Sequence, residues 1–321
     1  MGASSRSARW KRVPPLEADR RITFERLRRR VLFLVMRRVL RWSGFDSARP
    51  IGAFLGALQY CFDSRTRQTC LEGIAALLGR KADDPQVAAI ARSAFRVNTM
   101  AVLEVLSMVD RKLDAQRLHA RCRVDGLENL RAARNGRGAI LLATHSGNSL
   151  LLAAQLADAG WPVTIVYRRA RMMSLEFFVE GLPRYGFDGI LANEGFRAYA
   201  RMVDALRHDR VLFAMMDQGV KDAETGVPLR FLGKDMPMPG GVVQLARQTR
   251  APIVPVTSLA ADPVWHFAIG PRLSLPPGGS IEEDTAAVLR HVEAQILAHP
   301  ELWSWHHRRW RNFPVAATHG G

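Results

Sequence analysis

The sequence predicts an α/β fold: a mostly parallel central sheet flanked by helices, preceded by an N-terminal basic amphipathic helix. Three observations predict it. From residue 121 onward, short apolar runs of strand length alternate with stretches of helical periodicity, the pattern of a parallel sheet covered on both faces. Between residues 50 and 120 the apolar spacing is helical. The charge is also gathered at one end. Of a net +16, +10 falls within residues 1–42, where 13 Lys and Arg outnumber Glu17, Asp19 and Glu25.

Residues 1–20 are polar and contain Pro, and are expected to be mobile. Residues 21–44 form the basic helix. Its longest uninterrupted apolar run, Val31 to Met36, is six residues. Spanning a bilayer takes ~20, and a signal-peptide core takes roughly 7–15. With Trp42 at its end, the segment reads as a helix lying in a membrane interface; the competing reading is a basic helix packed on the protein's own body. A second apolar stretch, from Ile51 to Leu58, would join it at the surface. Helices are expected at 51–62, 64–78 and 84–110, the last with Val87, Ile90, Ala91, Phe95, Met100, Leu103 and Leu106 at helical spacing. A short strand at 121–126 and a helix ending at Arg134 lead into the alternating region.

There, strands are expected at 139–144, 163–167, 189–192, 211–216, 253–256 and 264–269. Helices are expected at 148–159, 175–184, 196–207, 241–249 and 281–298. A long loop, 217–240, separates two of these units. The organisation is therefore a membrane-associating segment, 1–45, and a folded body, 46–321, helical over 46–120 and α/β over 121–321.

Composition narrows the function. With 321 residues, 48% of them hydrophobic, the chain can bury a sizeable core. The basic balance points to a polyanionic partner: nucleic acid, an anionic membrane or an acidic carrier protein. Cys61, Cys70 and Cys122 have neither CxxC nor metal-type spacing and read as reduced thiols of a cytosolic protein. No Walker motif, GxGxxG fingerprint or HExxH occurs.

The strand expected at 139–144 runs into His145-Ser146-Gly147-Asn148-Ser149-Leu150 and then a helix. In a parallel sheet the ligand site lies off the carboxyl ends of the strands. His145, Arg168 and Asp217 each follow such an end. An imidazole titrates near neutrality, and backbone N–H groups at a helix start can hold developing negative charge. His145 thus reads as a general base or as a buried structural histidine. Asp217 either orders the site and orients His145 or caps neighbouring N–H groups. Ser149 lacks the second glycine of a nucleophile elbow, which argues against a serine hydrolase. Arg168, Arg169, Arg171 and Arg184 either hold an anionic head group or form a solvated basic surface. The loop 217–240, rich in Met, Pro and Phe, would line an apolar groove. The C-terminal Leu302-Trp303-Ser304-Trp305-His306-His307-Arg308-Arg309-Trp310-Arg311 mixes aromatics with cations, suited to nucleic acid by stacking or to a membrane interface. No nucleic-acid motif accompanies it.

Taken in order, these stretches resemble the lysophospholipid acyltransferases that act late in bacterial lipid A biosynthesis, from about residue 20 to 313. The family's His-x4-Asp/Glu motif is matched by His145-Ser146-Gly147-Asn148-Ser149-Leu150, with Leu150 in the acid's position. Tyr167-Arg168 resembles its Tyr-Arg pair, with Arg169 where Pro is usual, and Arg184-Tyr185-Gly186 its Arg-containing helix end. Asp217-Gln218 resembles its Asp-Gln strand end, and Phe231-Leu232-Gly233 its Phe-Phe-Gly. Ala246-Arg247, the stretch from Ala251 to Val256 and the closing segment from His299 to Trp310 complete the set.

The resemblance implies a glycerol-phosphate-acyltransferase-like fold and an enzyme at the cytoplasmic face of the bacterial inner membrane, peripheral or monotopic. It would move an acyl chain from acyl carrier protein or acyl-CoA to a lipid or glycolipid acceptor, with no cofactor and no metal. His145 would be the base, the backbone of Ser146, Gly147 and Asn148 the oxyanion donors, and Arg168, Arg184 and Gln218 substrate contacts. Without an acid at 150, the resemblance leaves three routes: Asp217 replaces it, the acceptor is a more reactive nucleophile such as an amine, or the chain binds lipid or carrier without turnover.

Overall fold

Runs rich in Val, Ile, Leu and Ala pair into one seven-stranded sheet in the computed structural model, which describes residues 24–134, 136–168, 179–220, 226–276 and 278–306. The strands are β1 (Cys122–Asp125), β2 (Ala139–Ala143), β3 (Val163–Tyr167), β4 (Asp188–Leu191), β5 (Val211–Met215), β8 (Ile253–Ala260) and β9 (Trp265–Ile269). Their order is β1-β9-β8-β2-β5-β3-β4. Only the β8–β9 contact is antiparallel. The expected fold class is the observed one.

Side chains alternate across the sheet with period two. Ile140, Leu142, Leu212, Ala214 and Ile253 face one core layer. Leu141, Ala143, Val211, Phe213 and Val254 face the other. Helices α6 (Leu127–Arg134), α7 (Ser149–Asp158), α8 (Phe196–Arg207) and α9 (Gly241–Thr249) connect successive strands, and α10 (Ile281–Ala298) follows the last one.

The helical half holds α1 (Phe24–Ser43), α2 (Ala48–Phe62), α3 (Ser64–Leu78), α4 (Pro85–Asp110) and α5 (Ala115–Arg121). Local chemistry sets the ends. Asp63 and Asp84 accept backbone N–H bonds as N-caps of α3 and α4, and Pro85 opens α4. Helix α2 lies directly on α4, because Gly52 and Gly56 leave no side chain between the backbones. A Cβ on Gly56 would stand 2.5 Å from the Phe95 carbonyl oxygen. Helix α1 packs in part on the protein's own body. Leu40, with Phe33 and Met36, packs against α2 and α4, and Arg37 grips Asp110 at 2.6–2.8 Å. Yet Val31, Leu32, Leu34, Val35, Val39 and Trp42 of the same helix are exposed.

Three expectations need correction. The stretch 217–240 is not all loop: β6 (Val227–Phe231) and β7 (Lys234–Met238) form a hairpin. Its two-residue turn puts both Leu232 and Gly233 at positive φ, a turn usually marked by Asn-Gly. Pro228 and Pro237 pair across it, residues that normally argue against a strand. Phe231, Leu232, Met236 and Met238 are buried in the main core rather than lining a groove. The strand expected at 253–256 continues to Ala260 because β9 extends its pairing. The helix expected at 175–184 ends in a 3-10 turn, Leu182–Tyr185, where Pro183 removes a backbone donor. Residues 1–20, Arg169, Arg171, residues 175–178 and residues 307–311 lie outside the described residues.

Candidate active site

Strand β2 pairs with β5 in parallel, Ala143 opposite Met215. Thr144 and His145 continue from one, Met216 and Asp217 from the other. His145 and Asp217 therefore emerge side by side at the carboxyl edge of the sheet. The imidazole Nδ1 lies 2.7 Å from Asp217 Oδ1. The other carboxylate oxygen accepts the His145 backbone N–H at 2.7 Å and the Trp303 indole N–H at 2.6 Å. The Asp217 side chain is fully buried, whereas the His145 side chain is 34% exposed. Burial alone would raise the Asp217 carboxyl. The neighbouring His145 charge, the bonds from its ring and backbone and the Trp303 donor outweigh burial and draw it down to about 2. The arrangement can orient an imidazole, fix its tautomer and stabilise its cation while the ring stays reachable from solvent.

The turn after His145 is held from several sides. Residues 302–304 run beside it: Ser304 N–H donates to the His145 carbonyl, and Gly147 N–H to that of Leu302. The Ser258 hydroxyl donates to the Ser146 carbonyl at 3.0 Å. Gly147 sits at φ +64° with the Trp265 ring against it; a Cβ there would meet that ring at 2.6 Å. Asn148 caps α7 through its Oδ1. Ser149 Oγ points to the carbonyls of Thr144 and Ser146. Leu150 is half-buried and packs into two apolar clusters.

The expected site residues are thus not all in one place. His145 and Asp217 meet. Ser146, Gly147 and Asn148 shape the turn; of the three backbone donors expected there, the Gly147 amide is bonded to the Leu302 carbonyl. Gln218 is half-buried beside Asp217, and its Nε2 is sealed from solvent with no acceptor among the described residues. Arg168 is exposed at the carboxyl edge, next to the strand that carries Asp217. Arg184 is drawn elsewhere: it bonds the Val109 and Asp110 carbonyls at the end of α4, where a cation suits the helix dipole. Trp303 and Trp305 are buried, not the surface aromatics of a nucleic-acid or membrane contact. Trp303's role at Asp217 was missed, and nothing in its local sequence marks it. Among the described residues no cluster of His, Cys, Asp and Glu could hold a metal.

The chain matches the model of the bacterial lipid A biosynthesis acyltransferase family over residues 18–312. It is similar to a phosphatidylinositol mannoside acyltransferase of Mycobacterium tuberculosis (strain CDC 1551 / Oshkosh), 28% identical over 222 residues, 68% of this chain and 66% of the relative. It is also similar to the protein of the same description from Mycolicibacterium smegmatis, 28% identical over 201 residues, 62% of this chain and 65% of the relative. The chain spans just under two thirds of the length of these relatives.

Proposed function

Because the chain belongs to the bacterial lipid A biosynthesis acyltransferase family, we propose that it transfers a fatty acyl chain from an acyl thioester, on acyl carrier protein or on coenzyme A, to a hydroxyl of a lipid or glycolipid. The observation that carries this reading is the 2.7 Å contact between His145 and buried Asp217. With the Nδ1 proton directed at the carboxylate, Nε2 accepts the acceptor's proton as its oxygen attacks the thioester carbonyl. The tetrahedral intermediate collapses, the carbon–sulfur bond breaks, and the imidazolium returns the proton to the leaving thiolate. The carboxylate stabilises that cation. Gln218, next to Asp217 at the carboxyl edge of the sheet, serves as a substrate contact. Arg168 meets an anionic head group or phosphate. No step calls for a cofactor.

The protein works on membrane lipids from the cytoplasmic leaflet of the bacterial inner membrane. No helix among the described residues is long and apolar enough to cross a membrane. The exposed apolar side chains of α1 lie among arginines, a combination suited to an anionic leaflet. An acidic carrier would be drawn to the same positive surface.

The test is acyl transfer by the full chain from acyl carrier protein or coenzyme A thioesters into vesicles of bacterial lipid extract, with products identified by mass spectrometry. A new ester that is absent with His145→Ala supports the reading. An amide product would move the acceptor class to amines. No product from any donor, with vesicle binding retained, would favour a lipid-binding homologue without turnover. Salt-sensitive binding to nucleic acid without vesicle affinity would favour a nucleic-acid partner instead.

A further inference from the structure

Glu104 lies on the buried face of α4, far in sequence from His145, and is 1% exposed. One of its carboxylate oxygens, Oε2, accepts two bonds: from Asn148 Nδ2 at 3.0 Å and from the Trp265 indole N–H. The other, Oε1, faces Arg49 Nη1 at 3.4 Å. Both donors on Oε2 belong to the support of the His145 turn. Asn148 is in the turn, and the Trp265 ring is pressed against Gly147.

We propose that Glu104 is a positioning residue for His145, fixing the turn 146–148 from α4 while the C-terminal segment bonds it independently. Two consequences of its bonds carry the inference. A carboxylate accepts but does not donate, so it fixes the Asn148 carboxamide with Nδ2 toward α4. Oδ1 is thereby left to cap α7, where it accepts the Leu151 N–H at 3.2 Å. The same oxygen sets the in-plane position of the Trp265 indole, and Arg49 covers that ring at 5.3 Å from its centroid. Gly147, in the left-handed region and against the ring, has no room to shift toward it. With Leu302 and Ser304 also bonded to it, the turn is held by both α4 and the C-terminal segment.

The acid missing at position 150 is in this way answered by two carboxylates. Asp217 orients the imidazole, and Glu104 holds the backbone that carries it. Burial raises the Glu104 carboxyl, while bonds from Asn148 and Trp265 and the charge of Arg49 oppose that rise.

The kinetic arm of the test rests on the acyl-transfer reading; the spectroscopic arm does not. Glu104→Met keeps the length and removes the acceptor, and Glu104→Gln restores an oxygen in the place of Oε2. Thermal melting and near-ultraviolet circular dichroism establish that each full-length variant folds. Transfer rates across a range of acyl thioester concentrations are then measured beside the His145 imidazole resonances, assigned by difference from His145→Ala. Glu104→Met should lose about 100-fold in turnover with donor KM unchanged, the cost of a misplaced catalytic group. Its His145 resonances should shift, and Glu104→Gln should recover both. A folded Glu104→Met with wild-type turnover and unshifted His145 resonances overturns the proposal. So does a loss that Glu104→Gln fails to recover. If the unaltered protein transfers no acyl chain, the resonances alone decide, and it is the acyl-transfer reading that falls. Where Glu104→Met fails to fold, Asn148→Ala and Trp265→Phe, each removing one donor, take its place. Unshifted His145 resonances in both then overturn the proposal.

Discussion

His145 and Asp217 stand at the same level of the sheet, each two residues beyond the end of its strand, with Nδ1 and Oδ1 2.7 Å apart. In a His-x4-acid arrangement the carboxylate comes from the first turn of the following helix. Here it comes from the neighbouring strand, and the helix position is filled by Leu150. Asp217→Asn keeps the shape and removes the charge. Transfer should fall about 10³–10⁴-fold, the scale seen when a histidine loses its orienting carboxylate. His145→Ala should fall at least as far in the same acyl-transfer assay. Full activity in either variant would contradict the pairing's catalytic role.

Leu150→Glu places an acid where the family motif has one. Leu150, however, packs among apolar side chains that include Leu103, Leu106 and Leu40, and Nδ1 of His145 already faces Asp217. The variant should gain no activity and lose about 1–3 kcal/mol of stability, the cost of a poorly compensated polar group. Chemical denaturation beside the transfer assay checks both. A rise in turnover would mean that the imidazole can change partners.

Trp303→Phe keeps the ring and removes the donor to Asp217 Oδ2. The carboxyl lies at about 2 in the fold against an ordinary value of 3.8. A lowered acid stabilises the fold above its unfolded value and loses that contribution as pH falls through its folded value. Without the indole the folded value rises. The variant should therefore be less stable by about 1–3 kcal/mol near neutrality, and the gap to wild type should narrow from pH 4 toward 2. Urea midpoints across pH 7 to 2 measure it; a gap constant with pH would show that the indole bond does not act through the carboxylate's ionisation.

The architecture was legible because each α/β element carries its own period and breaker residues. What could not be read was strand order. Sequence places His145 and Asp217 each at a strand end, but not that β2 lies beside β5 rather than β3. The β6–β7 hairpin was hidden by Pro228 and Pro237, whose backbones suit an isolated two-stranded ribbon. Glu104 did leave a signal: it falls four residues after Met100 on the buried stripe of α4, where a carboxylate needs partners. Trp303 left none, because tryptophans among arginines look alike whether buried or at a surface.

Gly56→Ala tests the α2–α4 contact. The added Cβ would meet the Phe95 carbonyl oxygen at 2.5 Å and Arg96 Cα at 2.7 Å. Backbone atoms cannot step aside as a side-chain tip can, so the helices must separate, at about 1–3 kcal/mol. Gly241→Ala is the control: nothing lies within 4 Å of its Cβ position, and it should be neutral or slightly stabilising. Equal melting temperatures for the two variants would contradict the close contact.

The proposed membrane contact is open to the same kind of test. Helix α1 exposes Val31, Val35, Val39 and Trp42 at helical spacing, and α2 exposes Phe54, Leu58 and Phe62 four residues apart. Trp42 and Phe62 are 90% and 81% exposed. Burying one such side chain in lipid is worth about 1.5–3 kcal/mol, so Val35→Asp and Phe54→Asp should each weaken partition into anionic vesicles roughly tenfold or more. Both positions are surface ones, so melting should change little. If both helices contact the bilayer, the double variant loses more than either single one; if α1 alone inserts, Phe54→Asp binds as well as the unaltered chain. Raising salt should weaken binding of all four proteins through the arginines, while the loss from each aspartate persists, because the apolar contribution is not screened. Unchanged partition in every variant would leave α1 as a basic helix serving only the protein's own core.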